Sequence, residues 1–337
     1  MSVAPRVSIL LPAFDAAPTL DACLRSVARQ TEARFECLIV DDGSRDDTAA
    51  IAARWAAADG RFRLLGGPHA GLVPSLARGL AACRAPYVAR MDADDLMHRR
   101  RLAAQLAALD AAPALAAVGC HVRLFPRGAA LQPRRRAYES WLNALRTAAD
   151  VRRDAFVECP VAHPSLCVRR EELVAFGYRD RGWPEDYDLV LRLLEAGREV
   201  GVVPERLLGW RDHPGRLSRT AATYDLERFT ACRAEFLVRG LLATSVHYVL
   251  WGYGDTGRNL RRALAGHGRT PSHVVELHPG RLGNRIHGAP VVAPDALPAL
   301  RGAPILVSVA GARARGEIRA ALARMGFAEL RDFVCCA

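Results

Sequence analysis

The sequence predicts an α/β protein of two domains, residues 1–240 and a smaller Rossmann-like domain over residues 244–337. Three observations lead there. Short apolar runs alternate with segments whose apolar residues recur at helical spacing, the pattern of strands joined by crossover helices. Carboxylates stand directly after two of those runs, at Asp41-Asp42 and at Asp92-Ala93-Asp94-Asp95. A second round of the alternation opens with a strand from Val246 to Trp251 and the glycine run Gly252-Tyr253-Gly254-Asp255-Thr256-Gly257. A length of 337 residues agrees, because one typical domain needs roughly 100–200.

Val7 to Leu11, closed by Pro12, and Glu36 to Val40, closed by Asp41-Asp42-Gly43-Ser44, read as buried parallel strands. Between them Leu20, Cys23, Leu24 and Val27 fall at i, i+3, i+4 and i+7, one apolar stripe on a helix starting near Pro18. The pattern repeats as a helix from Thr48 to Ala58, a strand from Phe62 to Leu65, a helix from Pro74 to Cys83 and a strand from Tyr87 to Met91. Asp92 therefore stands at the carboxyl end of a strand, the edge where open α/β sheets gather ligands. A helix from Arg99 to Ala111 and a strand from Ala117 to Leu124 follow. The triple Arg134-Arg135-Arg136 reads as a solvated face or loop, and a single helix is expected from Tyr138 to Asp150. Ala162-His163-Pro164-Ser165 precedes another apolar run, and a helix beginning near Glu185 should stop at Gly197. A helix from Tyr224 to Val238 is expected to close the first domain. In the second, a helix to Leu264, an acid at Glu276 and a strand from Ile305 to Ala310 complete the Rossmann-like pattern.

Half the residues are apolar and a quarter charged, the composition of an ordinary globular protein. The formal charge of +11 comes with no lysine, so all 47 basic residues are arginine. No aromatic and basic residues alternate as a stacking groove requires, so nucleic acid is not expected as a partner. An anionic substrate or a lipid surface suits the charge better. The nine cysteines form no CxxC pair and read as small core residues of a reducing, cytoplasmic setting. Neither a signal-peptide pattern nor about 18 continuous apolar residues occurs, so no transmembrane helix is expected.

Asp92, Asp94 and Asp95 crowd carboxylates into four positions, which repel unless a cation or hydrogen-bond donors intervene. Mg²⁺ or Mn²⁺ shared with substrate phosphates would resolve that repulsion, and an acidic turn capping the next helix would also account for the spacing. His213, in Arg211-Asp212-His213-Pro214-Gly215, reads either as a nitrogen ligand or as an exposed loop histidine. Glu185 and Asp186 open a helix after Trp183-Pro184, where a carboxylate caps the backbone or serves as a base beside a sugar stacked on Trp183. Gly252, Gly254, Gly257 and Glu276 have the context of a dinucleotide site, for NAD or another nucleotide, although the same glycines also permit close strand-to-helix packing.

Val7-Ser8-Ile9-Leu10-Leu11-Pro12-Ala13-Phe14, Val40-Asp41-Asp42-Gly43-Ser44 and Ala89-Arg90-Met91-Asp92-Ala93-Asp94-Asp95 resemble the family 2 inverting glycosyltransferases of GT-A fold. The resemblance extends through His163-Pro164-Ser165, Trp183 to Asp188 and Arg211-Asp212-His213-Pro214. It implies that backbone around Pro12 and Ala13, with Asp41, holds the donor base, and Asp92 the ribose. Asp94 would bind the metal, His213 would help hold metal or diphosphate, Arg90 would contact the diphosphate, and Asp186 would be the catalytic base. The cofactors implied are Mn²⁺ or Mg²⁺ and a nucleotide-sugar donor, with a UDP-sugar favoured. The acceptor would be a saccharide or lipid-linked saccharide, in polysaccharide or glycoconjugate synthesis, with peripheral contact at the inner face of the membrane. Phe14-Asp15 and Ala77 depart from the family pattern and bear on donor fit. The C-terminal part resembles the Rossmann-like appendage of some bacterial transferases. Two other readings stand beside this one: a catalytically idle nucleotide-sugar-binding regulator, and an oxidoreductase centred on the glycine fingerprint.

Overall fold

Alternating buried strands and amphipathic helices build the computed structural model, which describes residues 4–126 and 132–337. The order begins β1 (Val7–Ala13), α1 (Ala17–Ala28), β2 (Phe35–Asp41), α2 (Thr48–Ala58), β3 (Phe62–Leu65), α3 (Leu72–Ala82) and β4 (Tyr87–Arg90). It continues with β5 (Leu96–Met97), α4 (Arg101–Ala111), β6 (Leu115–Phe125), α5 (Pro133–Leu142) and α6 (Ala148–Asp154). Then come β7 (Cys167–Arg169), α7 (Arg170–Phe176), α8 (Glu185–Glu195) and β8 (Glu199–Arg211). The strands form one mixed sheet of order β3-β2-β1-β4-β7-β6-β8-β5. β3, β2, β1 and β4 run parallel, and every residue of β1 and β2 is buried, as strands covered on both faces must be. The register sets Ala13 beside Asp41 and Leu10 beside Arg90, so the loops leaving β1, β2 and β4 share one edge of the sheet.

Local chemistry explains most element ends. The stripe Leu20, Cys23, Leu24 and Val27 is the buried face of α1. Gly197, at φ +76°, stops α8: its N–H reaches the Leu194 carbonyl and the Arg198 N–H reaches that of Leu193. The single helix expected from Tyr138 to Asp150 is instead two. The Asn143 side chain leaves the helix path to bond both the N–H and the carbonyl of Val122 on β6. Asp150 and Thr147 then cap a new helix, Asp150 accepting from the Arg146 and Thr147 N–H groups while Thr147 accepts from that of Asp150. The strand β8 has no counterpart in the sequence expectation, because Glu205 and Arg206 break its apolar run; pairing with β6 holds it.

Two compact units divide the described chain: one extends to Arg152 and includes Pro160–Arg181 and Glu185–Arg216, and the other holds Arg153–Cys159, Gly182–Pro184 and Leu217–Ala337. The second unit thus begins earlier than the expected boundary at residues 240–244. It contains α9 (Leu217–Thr220), α10 (Leu226–Arg239), β9 (His247–Trp251), α11 (Asp255–Ala265), β10 (Thr270–Val275), β11 (Arg285–Ile286), β12 (Ala289–Val292), β13 (Ile305–Val307), α12 (Ala312–Arg324) and β14 (Phe333–Cys335). The cause of the shifted boundary is the apolar face of α10. Ala234 and Leu237 are buried in one cluster with Tyr248, Leu250, Leu260 and Leu264, so the helix expected to end the first domain builds the core of the second unit.

The second sheet has the order β11-β12-β10-β9-β13-β14, parallel from β12 to β14 with β11 antiparallel at the edge. This is a Rossmann-like winding, with order reversing between β9 and β13. The glycines between β9 and α11 divide in role. A Cβ on Gly257 would lie 2.4 Å from the Gly252 carbonyl oxygen and 2.7 Å from Ser308 Oγ, whereas one on Gly254 would meet nothing within 4 Å. Gly257 is therefore required by packing. Gly257→Ala should cost about 1–3 kcal/mol of stability, and Gly254→Ala should stay within about 0.5 kcal/mol, as read by denaturant unfolding of the full chain; equal losses would refute the distinction.

Candidate active site

The turn that follows β4 brings Asp92, Asp94 and Asp95 so close that one ligand oxygen from each lies within 4.8 Å of the others. Both sides of the turn are anchored. From β8, Arg211 donates its backbone N–H to Asp95 Oδ1 at 2.7 Å and its Nε–H to the Asp94 carbonyl at 2.6 Å. Two residues on, His213 Nε2 lies 3.0 Å from Asp94 Oδ2. Beneath, the fully buried Arg101 donates to the Arg90 carbonyl at 2.8 Å and to Gln105 Oε1 at 3.0 Å. Gln105 in turn donates to the carbonyls of Val118 and Ser165, so the floor of the turn is tied to β6 and to the segment before β7.

The charges of the turn remain incompletely offset. Burial and the Asp92 charge raise the pKa of Asp94, against the pull of His213. Burial and repulsion from Asp92 and Asp94 raise that of Asp95 further, and its Oδ2 has no hydrogen-bond partner among the described residues. Asp92 differs: burial pushes it up, but Arg90, His163 and Arg216 outweigh burial and hold it below the ordinary carboxylate range. Arg90 is 3 % exposed and its guanidinium pairs with Asp92. Expected as a diphosphate contact, it serves Asp92 as a buried counter-charge.

At the ends of β1 and β2 the two aspartates divide. Asp42 is consumed by structure, accepting from Ser75 Oγ at 2.6 Å and from the N–H groups of Ala70 and Gly71, with His69 Nδ1 at 2.8 Å. Those donors outweigh its burial and keep it ionised. The Asp41 carboxylate accepts from the Ser44 N–H at 3.3 Å, and Ala13 lies beside it in register. Phe14 and His69 stack at 4.2 Å and both are exposed.

The first turn of α8 carries Glu185 and Asp186. Glu185 is buried with Oε1 3.2 Å from His163 Nδ1, and His163 Nε2 lies 3.1 Å from the Tyr178 hydroxyl. Asp186 is partly exposed and accepts from the Tyr187 N–H at 2.8 Å. Burial and the Glu185 charge push its pKa up to about 6, against the pull of His163.

Of the site residues read from sequence, the structure thus puts Asp92, Asp94 and His213 in one cluster, Pro12, Ala13 and Asp41 at adjacent strand ends, and Asp186 at a helix start. The sequence reading gave Asp95, His163 and Arg211 no task of their own, and it missed Arg101, Gln105, Arg216 and the contacts of His163 with Glu185 and Tyr178. Arg101 and Gln105 at i, i+4 with Leu102 and Leu106 beside them were the visible signal, a polar pair on an otherwise apolar helix face. In the second unit Glu276, read as part of a nucleotide site, accepts from the Tyr253 N–H at 2.9 Å and pairs with Arg281 at 2.9 Å. Its carboxylate fastens the glycine loop, as its position next to that backbone dictates.

Residues 8–175 match the model of glycosyl transferase family 2. EpsE of Bacillus subtilis (strain 168) is 28% identical over 247 residues, covering 69% of this chain and 84% of that protein. The amylovoran biosynthesis glycosyltransferase AmsE of Erwinia amylovora is 27% identical over 191 residues, 56% of this chain and 69% of that one. Among solved structures, S. aureus TarS 1-349 in complex with UDP-GlcNAc superposes with a TM-score of 0.55 at 15% identity, over 77% of this chain and 71% of that one. The mannosyltransferase PcManGT of Pyrobaculum calidifontis, in complex with GDP-Man and Mn2+, gives 0.52 at 19% identity, over 79% and 70%. These two share the fold of this chain, a GT-A fold.

The raised pKa of Asp95 makes a stability test. Folded chain binds that proton more tightly than unfolded chain, so the associated stability is complete at low pH and is lost as pH rises through the folded pKa. In metal-free buffer, wild type should lose stability relative to Asp95→Asn as pH rises above the ordinary carboxylate range. Parallel stability curves for the two proteins would exclude Asp95 as the titrating group.

Proposed function

We propose, from the premise that through residues 8–175 the chain belongs to glycosyl transferase family 2, that it moves a sugar from a nucleotide-diphosphate donor to an acceptor hydroxyl with inversion at the anomeric carbon. One observation carries the reading. Two carboxylate environments of opposite use occur in one unit: a crowded acidic turn at Asp92, Asp94 and Asp95, and a separate, partly exposed Asp186 with its pKa pushed up to about 6. The nucleotide sugars in the TarS and PcManGT complexes support the donor class.

The acidic turn fits a hard divalent cation. Its oxygen donors converge, their negative charge is not fully offset, and Asp95 Oδ2 is buried without a partner among the described residues. Asp94 and His213 would hold Mn²⁺ or Mg²⁺ there, and the bound ion would supply positive charge to the departing diphosphate. The chain's own groups account for the rest. Backbone at Pro12 and Ala13, with Asp41, receives the base, for which a UDP-sugar is the first donor to try. Asp92, kept ionised by Arg90, accepts hydrogen bonds from the ribose. Arg216, whose charge acts on all three carboxylates of the turn, would add positive charge near the diphosphate.

Asp186 accepts the proton of the acceptor hydroxyl while the acceptor oxygen bonds to the anomeric carbon and the bond from that carbon to the diphosphate oxygen breaks. One displacement inverts the configuration, and no covalent enzyme intermediate forms. The name of AmsE, an amylovoran biosynthesis glycosyltransferase, supports a role in polysaccharide synthesis, where the acceptor would be a saccharide or lipid-linked saccharide. No helix among the described residues is long and apolar enough to cross a membrane. A cytoplasmic protein that meets the inner membrane face through surface arginines suits such an acceptor.

A panel of nucleotide sugars, UDP-GlcNAc and GDP-mannose included, should reveal one donor whose nucleoside diphosphate is released with Mn²⁺ present. Asp186→Asn should lower kcat by about 10²–10⁴-fold while donor binding persists. Asp94→Ala should abolish the metal dependence of donor binding, and unchanged dependence would remove Asp94 from the metal site. The base must be ionised, so activity should rise through an acid limb near pH 6 and level above it. Donor binding without turnover on any acceptor would instead favour a regulatory protein.

A further inference from the structure

Phe14 and His69 come from separate loops, after β1 and before α3, and their rings stack at 4.2 Å with 28° between the planes. The backbone under each ring is fixed. Around Phe14, the Ala13 carbonyl accepts from the Asp42 N–H at 2.9 Å, the Asp15 N–H donates to Ser44 Oγ at 3.0 Å, and Asp15 Oδ1 accepts from the Arg45 N–H at 2.8 Å. Around His69, Asp42 accepts from the Ala70 and Gly71 N–H groups, and a Cβ on Gly43 would lie 2.6 Å from the His69 nitrogen, so a glycine is needed where the two loops close. The rings themselves are held differently. His69 Nδ1 lies 3.1 Å from the Asp42 carbonyl oxygen and 2.8 Å from Asp42 Oδ2. Both oxygens can only accept, since Asp42 is kept ionised, so Nδ1 carries the hydrogen and the imidazole is anchored. Phe14 has no polar atom on its ring, so no hydrogen bond can orient it; the anchored imidazole against one face does. Phe14 is still 41 % exposed with that face covered, so its exposure lies away from His69.

We infer that His69 is a positioning residue for the donor base: fixed by Asp42, it backs Phe14 and holds the uncovered face of that ring ready to stack on a base whose edge Asp41 receives. This rests on the reading of Pro12, Ala13 and Asp41 as the base site. Ala13, the residue before Phe14, stands in register with Asp41, whose carboxylate makes one long hydrogen bond among the described residues and so keeps acceptor capacity. A flat apolar face beside a carboxylate suits a base that carries ring N–H donors, as uracil and guanine do. Stacking is tolerant of base identity, so the wall serves either base. Its strength depends on Phe14 being ordered before the base arrives, because a ring that must be immobilised on binding gives back part of the contact as lost freedom. His69 supplies that order in advance.

The test is calorimetric titration of the full-length chain, with Mn²⁺ present, by UDP, by GDP and by inorganic diphosphate, which has no base. For whichever nucleotide binds wild type more tightly, His69→Ala should weaken binding about 3–10-fold and leave inorganic diphosphate unchanged. His69→Gln, which keeps a donor for Asp42 but no ring, should lose as much. His69→Phe, which keeps a ring against Phe14, should retain more than either. In a Phe14→Ala chain, His69→Ala should add no further loss, because His69 acts through Phe14. Nucleotide affinity that is unmoved or improved by His69→Ala overturns the inference. So do rescue by His69→Gln rather than by His69→Phe, additive losses in the double variant, and an equal loss for inorganic diphosphate. Wild type that binds neither nucleotide more tightly than inorganic diphosphate would sink the base-site reading and the inference with it, whereas a nucleotide preference indifferent to His69 sinks the inference alone.

Discussion

Three carboxylates within one turn are an electrostatic load, and the architecture around the sheet edge is arranged to bear it. Like charges this close cannot all ionise in a buried setting without counter-charge. The first unit supplies arginines at graded distances: Arg90 pairs with Asp92, Arg211 binds the turn through its backbone and Nε, and Arg101 lies fully buried below. None of these removes the load on Asp95, whose Oδ2 keeps no partner among the described residues. A turn braced in shape but short of positive charge supports the proposed cation, whose binding would not need to reorder the ligands.

The same division between fixed and available groups recurs along the sheet edge. Asp42 is spent on the loop and helix start after β3, while Asp41 makes one long bond. Glu185 is spent on His163, while Asp186 stays partly exposed. In each adjacent acid pair the more buried or better bonded member holds structure and thereby orients its neighbour. The mixed half of the sheet serves this arrangement, because β8 carries Arg211 to the turn, where β5 pairs with it.

The second unit follows different priorities. Gly257 is needed for contact between the α11 start and the Gly252 carbonyl, and Glu276 ties down Tyr253. Gly257 thus does the helix-to-strand packing that the third glycine of such a pattern serves, while Glu276 is the acid that a nucleotide-binding pattern would reserve for ligand. The winding of the sheet is Rossmann-like, yet the polar groups of the fingerprint are engaged with the protein's own backbone.

Sequence alone determined the strand–helix alternation, the stripe of α1, the stop at Gly197 and the position of acids after β2 and β4, since these depend on periodicity and on turn chemistry confined to a few neighbouring residues. It could not determine that Tyr138 to Asp150 breaks at Asn143, because the breaking bonds run to Val122 on a strand some twenty residues away. It could not assign α10 to the second unit, since an amphipathic face does not state which core it joins. Nor could it tell Asp41 from Asp42, Asp186 from Glu185, or Arg90 as ligand contact from Arg90 as counter-charge. Adjacent residues of one chemical type are alike in sequence; which is consumed and which is left available is decided by partners that only the tertiary structure brings within hydrogen-bonding distance.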